Sequence, residues 1–314
     1  MNRTNKKYLV KFAGICGSDL NKVHDSSFCL SDILTLGHEV VCSSDEGDLY
    51  VVNPFECDMF CSECTQDSYL LCERVNRIGA GTSSGGYSGE VCLNPRRMYI
   101  IPASVNHPMV GVLCDGVAVV FHGFHMLDLH NSRRLAIIGA GSIGILSALV
   151  AKDRYPHLEI DVFYKSEQKG DFLFRYYGDY FNIVNIRDIE NRQSIYDIVI
   201  EAVGGKQTDT ISDAIHIVSN SGSILVYGAF HKDCRIIKSI RQLFYKQVSM
   251  IGVNSYCESH NDFPKAVRWT FDHEKLILPL LTDVYNVKRD KLDSEMIYRS
   301  VIAPKVMKGC FIYE

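Results

Sequence analysis

Two short fragments near the amino terminus carry side chains that suit metal chemistry. Gly14-Ile15-Cys16-Gly17-Ser18-Asp19 places a thiol two residues before a hydroxyl, and Leu36-Gly37-His38-Glu39 sets an imidazole beside a carboxylate. Cys, His and a carboxylate are donors for a catalytic zinc, which keeps one coordination position open for substrate. Either fragment alone reads as a buried cysteine or a surface His-Glu pair. A third fragment carries different chemistry. Ile137-Ile138-Gly139-Ala140-Gly141-Ser142-Ile143-Gly144 is a G-x-G-x-x-G run between a strand-like stretch and an apolar helix-like stretch. In such a run the first glycine permits a tight turn. The second lets backbone approach a pyrophosphate, which sits on the free N–H groups at the helix start. Gly139, Gly141, Ser142, Ile143 and Gly144 are therefore candidate phosphate-binding residues. An acidic residue about 20 positions further on would hold the ribose 2′-hydroxyl of NAD. That place holds Tyr164, followed by Lys165 and Ser166, a cation and a hydroxyl suited to a 2′-phosphate. NADP(H) is the preferred dinucleotide, with NAD(H) left open by Glu167.

These side chains need elements to position them. Residues 8–13 and 48–53 read as short strands by residue type, and the first hundred residues are short apolar runs cut by Gly, Ser, Asp and Pro. That pattern predicts a β-rich, loop-rich module. From Arg134 it changes to a strand over 135–138, a helix over 143–152 and a strand over 160–164. Later strands fall at 197–201 and 223–227, the last closed by Gly228. Strands alternating with helices imply right-handed βαβ units and a parallel sheet. After about Tyr256 the alternation weakens, and the tail is expected to fold back on the first module.

A chain of 314 residues forms about two domains. A net charge of −4 argues against a nucleic-acid partner. No apolar run reads as a membrane span, and the basic start runs into a strand-like segment without a secretory apolar region. The expectation is a cytoplasmic protein with no membrane partner. Of the twelve cysteines, Cys29, Cys42, Cys92, Cys234, Cys257 and Cys310 are scattered and read as small buried hydrophobes. Those that cluster are better explained by metal binding than by disulfides.

In this order, the Cys16 fragment, Gly37-His38-Glu39 and the G-x-G-x-x-G run resemble the zinc-dependent medium-chain dehydrogenase/reductase family. Gly85-Gly86-Tyr87-Ser88-Gly89-Glu90-Val91, the stretch Asp197 to Gly204 and Gly252-Val253-Asn254-Ser255-Tyr256 are similar to family segments. The resemblance implies an α/β fold. A GroES-like β-rich catalytic domain, residues 1–116, would be interrupted by a Rossmann doubly wound nucleotide-binding domain, residues 117–255, and completed by residues 256–314.

By the same resemblance, Cys16, His38 and Asp115 surround the catalytic zinc, Asp115 through the match of the segment Leu113 to His122. Glu39 either binds the metal or stands beside it. Cys114 is a competing thiolate, and Asp115 also reads as a helix N-cap. Ser18 corresponds to the hydroxyl that passes the alcohol proton toward solvent. The histidine that often ends this relay is replaced by Asn21, with His24 three residues on. Cys57, Cys61, Cys64 and Cys72 resemble the family's structural-zinc lobe, with three residues rather than two between the first pair. Four thiolates close a tetrahedral site. The acidic surroundings Glu56, Asp58, Glu63, Asp67 and Glu73 exclude a zinc ribbon that grips phosphate. Two features depart from the family: the chain begins close to Cys16, and the stretch from Glu39 to Gly47 is short.

The implied activity is zinc-dependent hydride transfer between NADP(H) or NAD(H) and a secondary alcohol or ketone of a polyol, a sugar, phosphorylated or not, or a cyclitol. Tyr155 to Ser166 looks like NADPH-using ribulose 5-phosphate reductases, with aminocyclitol dehydrogenases as near neighbours. A reading from a different class is a catalytically inactive dinucleotide-binding scaffold or redox sensor of the same fold. The shortened loop and the missing relay histidine motivate it. Family members pair through edge strands, which implies a homodimer or homotetramer.

Overall fold

The valine-rich and aromatic runs of the amino-terminal hundred residues form strands. They are β1 (Lys6–Ile15), β2 (Glu39–Ser43), β3 (Leu49–Val52), β4 (Phe55–Glu56), β5 (Asn76–Arg77), β6 (Glu90–Leu93) and β7 (Met98–Ile100). A computed structural model describes residues 5–57, 68–80, 84–234 and 240–314. Helix α1 (Gly17–Val23) starts directly after β1. β2 is buried along its whole length and pairs antiparallel with β1 and β3. Then α2 (Cys114–His125) leads out of this region. The segment Pro108–His125 is long and apolar enough for a membrane span by length and composition, which the sequence reading did not register. Most of it is buried inside the protein, as in the core helix of a soluble protein.

The second region alternates strand and helix: β8 (Arg134–Ile138), α3 (Ser142–Arg154), β9 (Glu159–Tyr164), α4 (Glu167–Tyr177), β10 (Asn182–Asn185), β11 (Tyr196–Glu201), α5 (Asp209–Ile217), β12 (Val218–Val226), α6 (Ile240–Lys246) and β13 (Ser249–Gly252). The strands lie in the order β10-β9-β8-β11-β12-β13, each parallel to its neighbours. This is the doubly wound arrangement, with its reversal of strand order between β8 and β11. Strands such as Leu135 to Ile138 and Ile198 to Ile200 are buried runs, as a sheet covered on both faces requires. β12 starts five residues earlier than expected, at Val218. Ser219-Asn220-Ser221-Gly222 reads as a turn, yet the strand takes it up as an irregularity with Ser221 at φ 59°.

The tail adds α7 (Asp262–Asp272), α8 (Glu274–Ile277), β14 (Leu281–Val287), α9 (Ser294–Ile302) and β15 (Lys308–Tyr313). β15 pairs antiparallel with β1 and parallel with β14. The first sheet therefore runs β14-β15-β1-β2-β3-β7, with β6 also on β1. The chain divides into two compact units, Met1–Ala118 with Cys257–Glu314, and Val119–Tyr256. The first packs a core from both ends of the chain, Val10, Val40, Leu93, Ile297 and Phe311 among its members. The second packs Ile138, Phe163, Val199, Ile215 and Ile224 around its own sheet.

Candidate metal and dinucleotide sites

The cross-strand register of β1 and β2 sets Gly14 opposite Glu39. A β-carbon on Gly14 would lie 2.3 Å from Glu39 Oε2, so only glycine leaves room for that carboxylate. One residue past β1, Cys16 caps α1, and its amide donates to Asp19 Oδ2 at 3.1 Å. Asp19 is buried, accepts the Tyr87 hydroxyl at 2.7 Å, and lies 3.7 Å from His38 Nδ1. It thereby fixes the face that His38 presents with its other nitrogen. The donor atoms of Cys16, His38 and Glu39 lie within 4.8 Å of one another. Asp115, in the first turn of α2, brings Oδ2 to 3.8 Å from His38 Nε2. Cys114 beside it is fully buried, and burial pushes its thiol up to about 12.

Lys308, at the start of β15, is buried and donates to Glu39 Oε1. Glu39 Oε2 is buried with no hydrogen-bond partner. Burial lowers the His38 pKa, but its neighbours Cys16 and Asp19 more than offset this and take it to about 10. Burial raises Asp19, yet its bonds with His38 and Tyr87 hold it below the ordinary carboxylate range. Burial works against the Lys308 ammonium, but Glu39 and Cys16 keep it charged, above lysine's ordinary value. A thiol, an imidazole and a carboxylate oxygen with no other partner fit zinc in type and spacing.

Ser18 is half-buried in α1, and its hydroxyl makes no hydrogen bond among the described residues. Asn21 and His24 are exposed. In the cysteine cluster, Cys57 and Cys72 are buried with their sulfurs 3.5 Å apart. Two thiolates on one tetrahedral zinc would stand about 3.8 Å apart. Cys61 and Cys64 lie outside the described residues.

In the second unit, Gly139 adopts φ 115° and Gly141 caps α3 in extended backbone. A β-carbon on Gly144 would lie 2.0 Å from the Gly139 carbonyl oxygen, which is why the turn and the helix can meet. Ser142 and Ile143 then open α3, their amides in the first turn where intrahelical acceptors are lacking. Tyr164 ends β9, and the exposed Lys165 and Ser166 lead into α4. The sequence reading missed Lys169. Its ammonium lies 4.0 Å from the place of a β-carbon on Gly141, over the glycine turn, and burial lowers its pKa. A lysine one helical turn into α4 was the available signal. Lys308 was missed as well, since nothing local ties it to Glu39.

No family model matches the chain. It is 23% identical over 319 residues to D-arabinitol dehydrogenase 1 of Uromyces fabae, covering 94% of this chain and 88% of that protein. Its fold matches galactitol-1-phosphate dehydrogenase from Escherichia coli with a TM-score of 0.78 at 19% identity, over 99% of this chain and 93% of that one. It also matches a zinc-binding dehydrogenase from Sinorhizobium meliloti 1021 solved bound to NADP, with a TM-score of 0.77 at 18% identity, over 99% and 93% of the two chains. In sequence along most of its length, and in fold, the chain is a relative of the zinc-type alcohol and polyol dehydrogenases.

Proposed function

We propose that this protein is a zinc-dependent oxidoreductase moving a hydride between a nicotinamide dinucleotide and a secondary alcohol or ketone of a polyol, sugar or cyclitol. The observation that carries this is the gathering of Cys16, His38 and Glu39 within 4.8 Å, with Glu39 Oε2 buried and unpartnered. When bound, zinc supplies Lewis-acid polarisation of the substrate oxygen and the nicotinamide ring gives or takes the hydride. Cys16 and His38 hold the metal, with Glu39 and Asp115 as the carboxylates available to it. Asp19 and Tyr87 keep His38 oriented, and Lys308 pins Glu39 by one oxygen. Ser18 is the hydroxyl for the alcohol proton. Cys57, Cys61, Cys64 and Cys72 hold a structural zinc.

The glycine turn holds the pyrophosphate against the start of α3 through Gly139, Gly141, Ser142, Ile143 and Gly144. Lys165 and Ser166, with Lys169 behind them, favour NADP(H) over NAD(H). The relative solved with NADP bound supports this preference, as does the tyrosine where NAD binding would place a carboxylate. The substrate is phosphorylated or not, and the structural matches include a galactitol-1-phosphate dehydrogenase. We place the protein in the cytoplasm, where clustered cysteines serve as metal ligands rather than disulfides. β13 ends its sheet, with Ile240, Phe244 and Tyr245 of α6 exposed, and supports a homodimer or homotetramer.

The test is zinc per chain by elemental mass spectrometry for wild type and Cys16→Ala, with dehydrogenase and reductase assays over a panel of polyols and their phosphates. Loss of one equivalent, together with loss of turnover, is expected. Unchanged zinc in Cys16→Ala would remove the catalytic site. Lys165→Ala and Lys169→Ala are each expected to weaken NADPH binding at least tenfold more than NADH binding. Equal effects on both would remove the NADP(H) preference.

A further inference from the structure

A turn in the tail gathers a second set of donors that the proposed reaction does not use. Cys257, His260 and Asp262 follow one another as Cys-x-x-His-x-Asp where the chain enters α7. Asn261 takes a left-handed backbone at φ 52°, and its amide donates to the Glu258 carbonyl at 3.0 Å. The reversal folds the three side chains toward one point. His260 Nδ1 lies 3.7 Å from Cys257 Sγ and 4.0 Å from Asp262 Oδ2. The donor atoms of all three lie within 4.8 Å of one another.

Zinc bonds of about 2.3 Å to sulfur and about 2.0–2.2 Å to nitrogen or oxygen, at tetrahedral angles, set donor pairs about 3.4–3.6 Å apart. Against that spacing the two measured pairs are wider by about 0.1–0.6 Å, a difference that a small side-chain rotation closes. Cys257 and Asp262 are buried at 2% and 0% exposure, while the His260 side chain is 41% exposed. The exposed imidazole edge gives a cation a way in.

We propose that Cys257, His260 and Asp262 bind a divalent cation of borderline softness, zinc foremost, with donors distinct from those of the Cys16 site. Thiolate, imidazole and carboxylate suit zinc better than the oxygen-seeking calcium or magnesium. Binding replaces the Cys257 thiol proton, which leaves to solvent.

The full chain, wild type and variants, is dialysed against buffered free zinc, and metal per chain is measured by elemental mass spectrometry. His260→Gln and Cys257→Ser are each expected to lose one equivalent. Cys16→Ala loses a different one, and Cys16→Ala with His260→Gln loses two. Added zinc raises the wild-type melting temperature more than that of His260→Gln. His260→Gln alters a half-exposed side chain, so it decides the matter even where Cys257→Ser fails to fold. Full wild-type zinc content in His260→Gln overturns the site. Loss in Cys16→Ala without loss in His260→Gln overturns this site and leaves the catalytic reading standing, and the converse pattern does the reverse.

Discussion

Glu39 has two oxygens in different circumstances. Oε1 takes the Lys308 ammonium, while Oε2 is buried against the space that Gly14 leaves open. Removing one member of a buried ion pair strands the other charge, which costs more than losing both. Lys308→Met should therefore lower stability by about 3–5 kcal/mol, and Glu39→Gln added to it should restore most of the loss. Urea unfolding of the three variants in chelator measures this. A double variant no more stable than Lys308→Met would show that the pair is not the source. Glu39 was legible from its place in Gly37-His38-Glu39. Lys308 was not, because 269 residues separate the partners and only the return of β15 joins them. Asp19 stood in the first fragment without a role, since its bonds to Tyr87 and its closeness to His38 depend on a loop distant in sequence.

Among the elements, the βαβ region was the most legible, because buried parallel strands write themselves as unbroken apolar runs. β12 shows the limit: a Ser-Asn-Ser-Gly stretch has turn chemistry, and only pairing with β11 makes it strand. The tail was harder, since its short elements gain their partners from the other end of the chain. Glu274 of α8 illustrates the point. It accepts the His107 amide at 2.8 Å and the Asn106 amide at 3.0 Å. The His107 amide above all, against the effect of burial, holds its carboxyl below the ordinary range. A carboxyl with a lowered folded pKa stabilises the fold above its unfolded pKa of about 4.3, and that advantage fades as pH falls through the folded value. Glu274→Gln should thus melt below wild type at pH 7, with the two curves converging in acid. A gap that persists below both pKa values would assign the effect to packing.

At the scale of the molecule, one unit is contiguous in the chain and the other is not. Val119–Tyr256 holds all six strands of its sheet together with the glycine turn and Lys169. Expressed alone, residues 119–256 should unfold cooperatively and bind NADPH, as titration calorimetry with thermal melts can test. A segment that remains unfolded would mean that the sheet depends on the flanking chain. Met1–Ala118 with Cys257–Glu314 is the opposite case, since β1 has β15 as a neighbour.

That pairing of β1 with β15 sets a timetable for synthesis. Glu39 leaves the ribosome 269 residues ahead of Lys308. At about 5–20 residues per second the wait is roughly 15–50 s. Through that interval the nascent chain holds its carboxylate without its ammonium, and β1 lacks the partner of its Phe12–Ile15 stretch. The contiguous unit meanwhile has every strand it needs. The pocket around Cys16 and His38 is therefore finished last, and a metal that arrives early meets donors not yet set by their partner. If the Cys16 pocket takes zinc as proposed, faithful loading belongs after release, and stalled or truncated products should be the species that mismetallate, aggregate or call on chaperones.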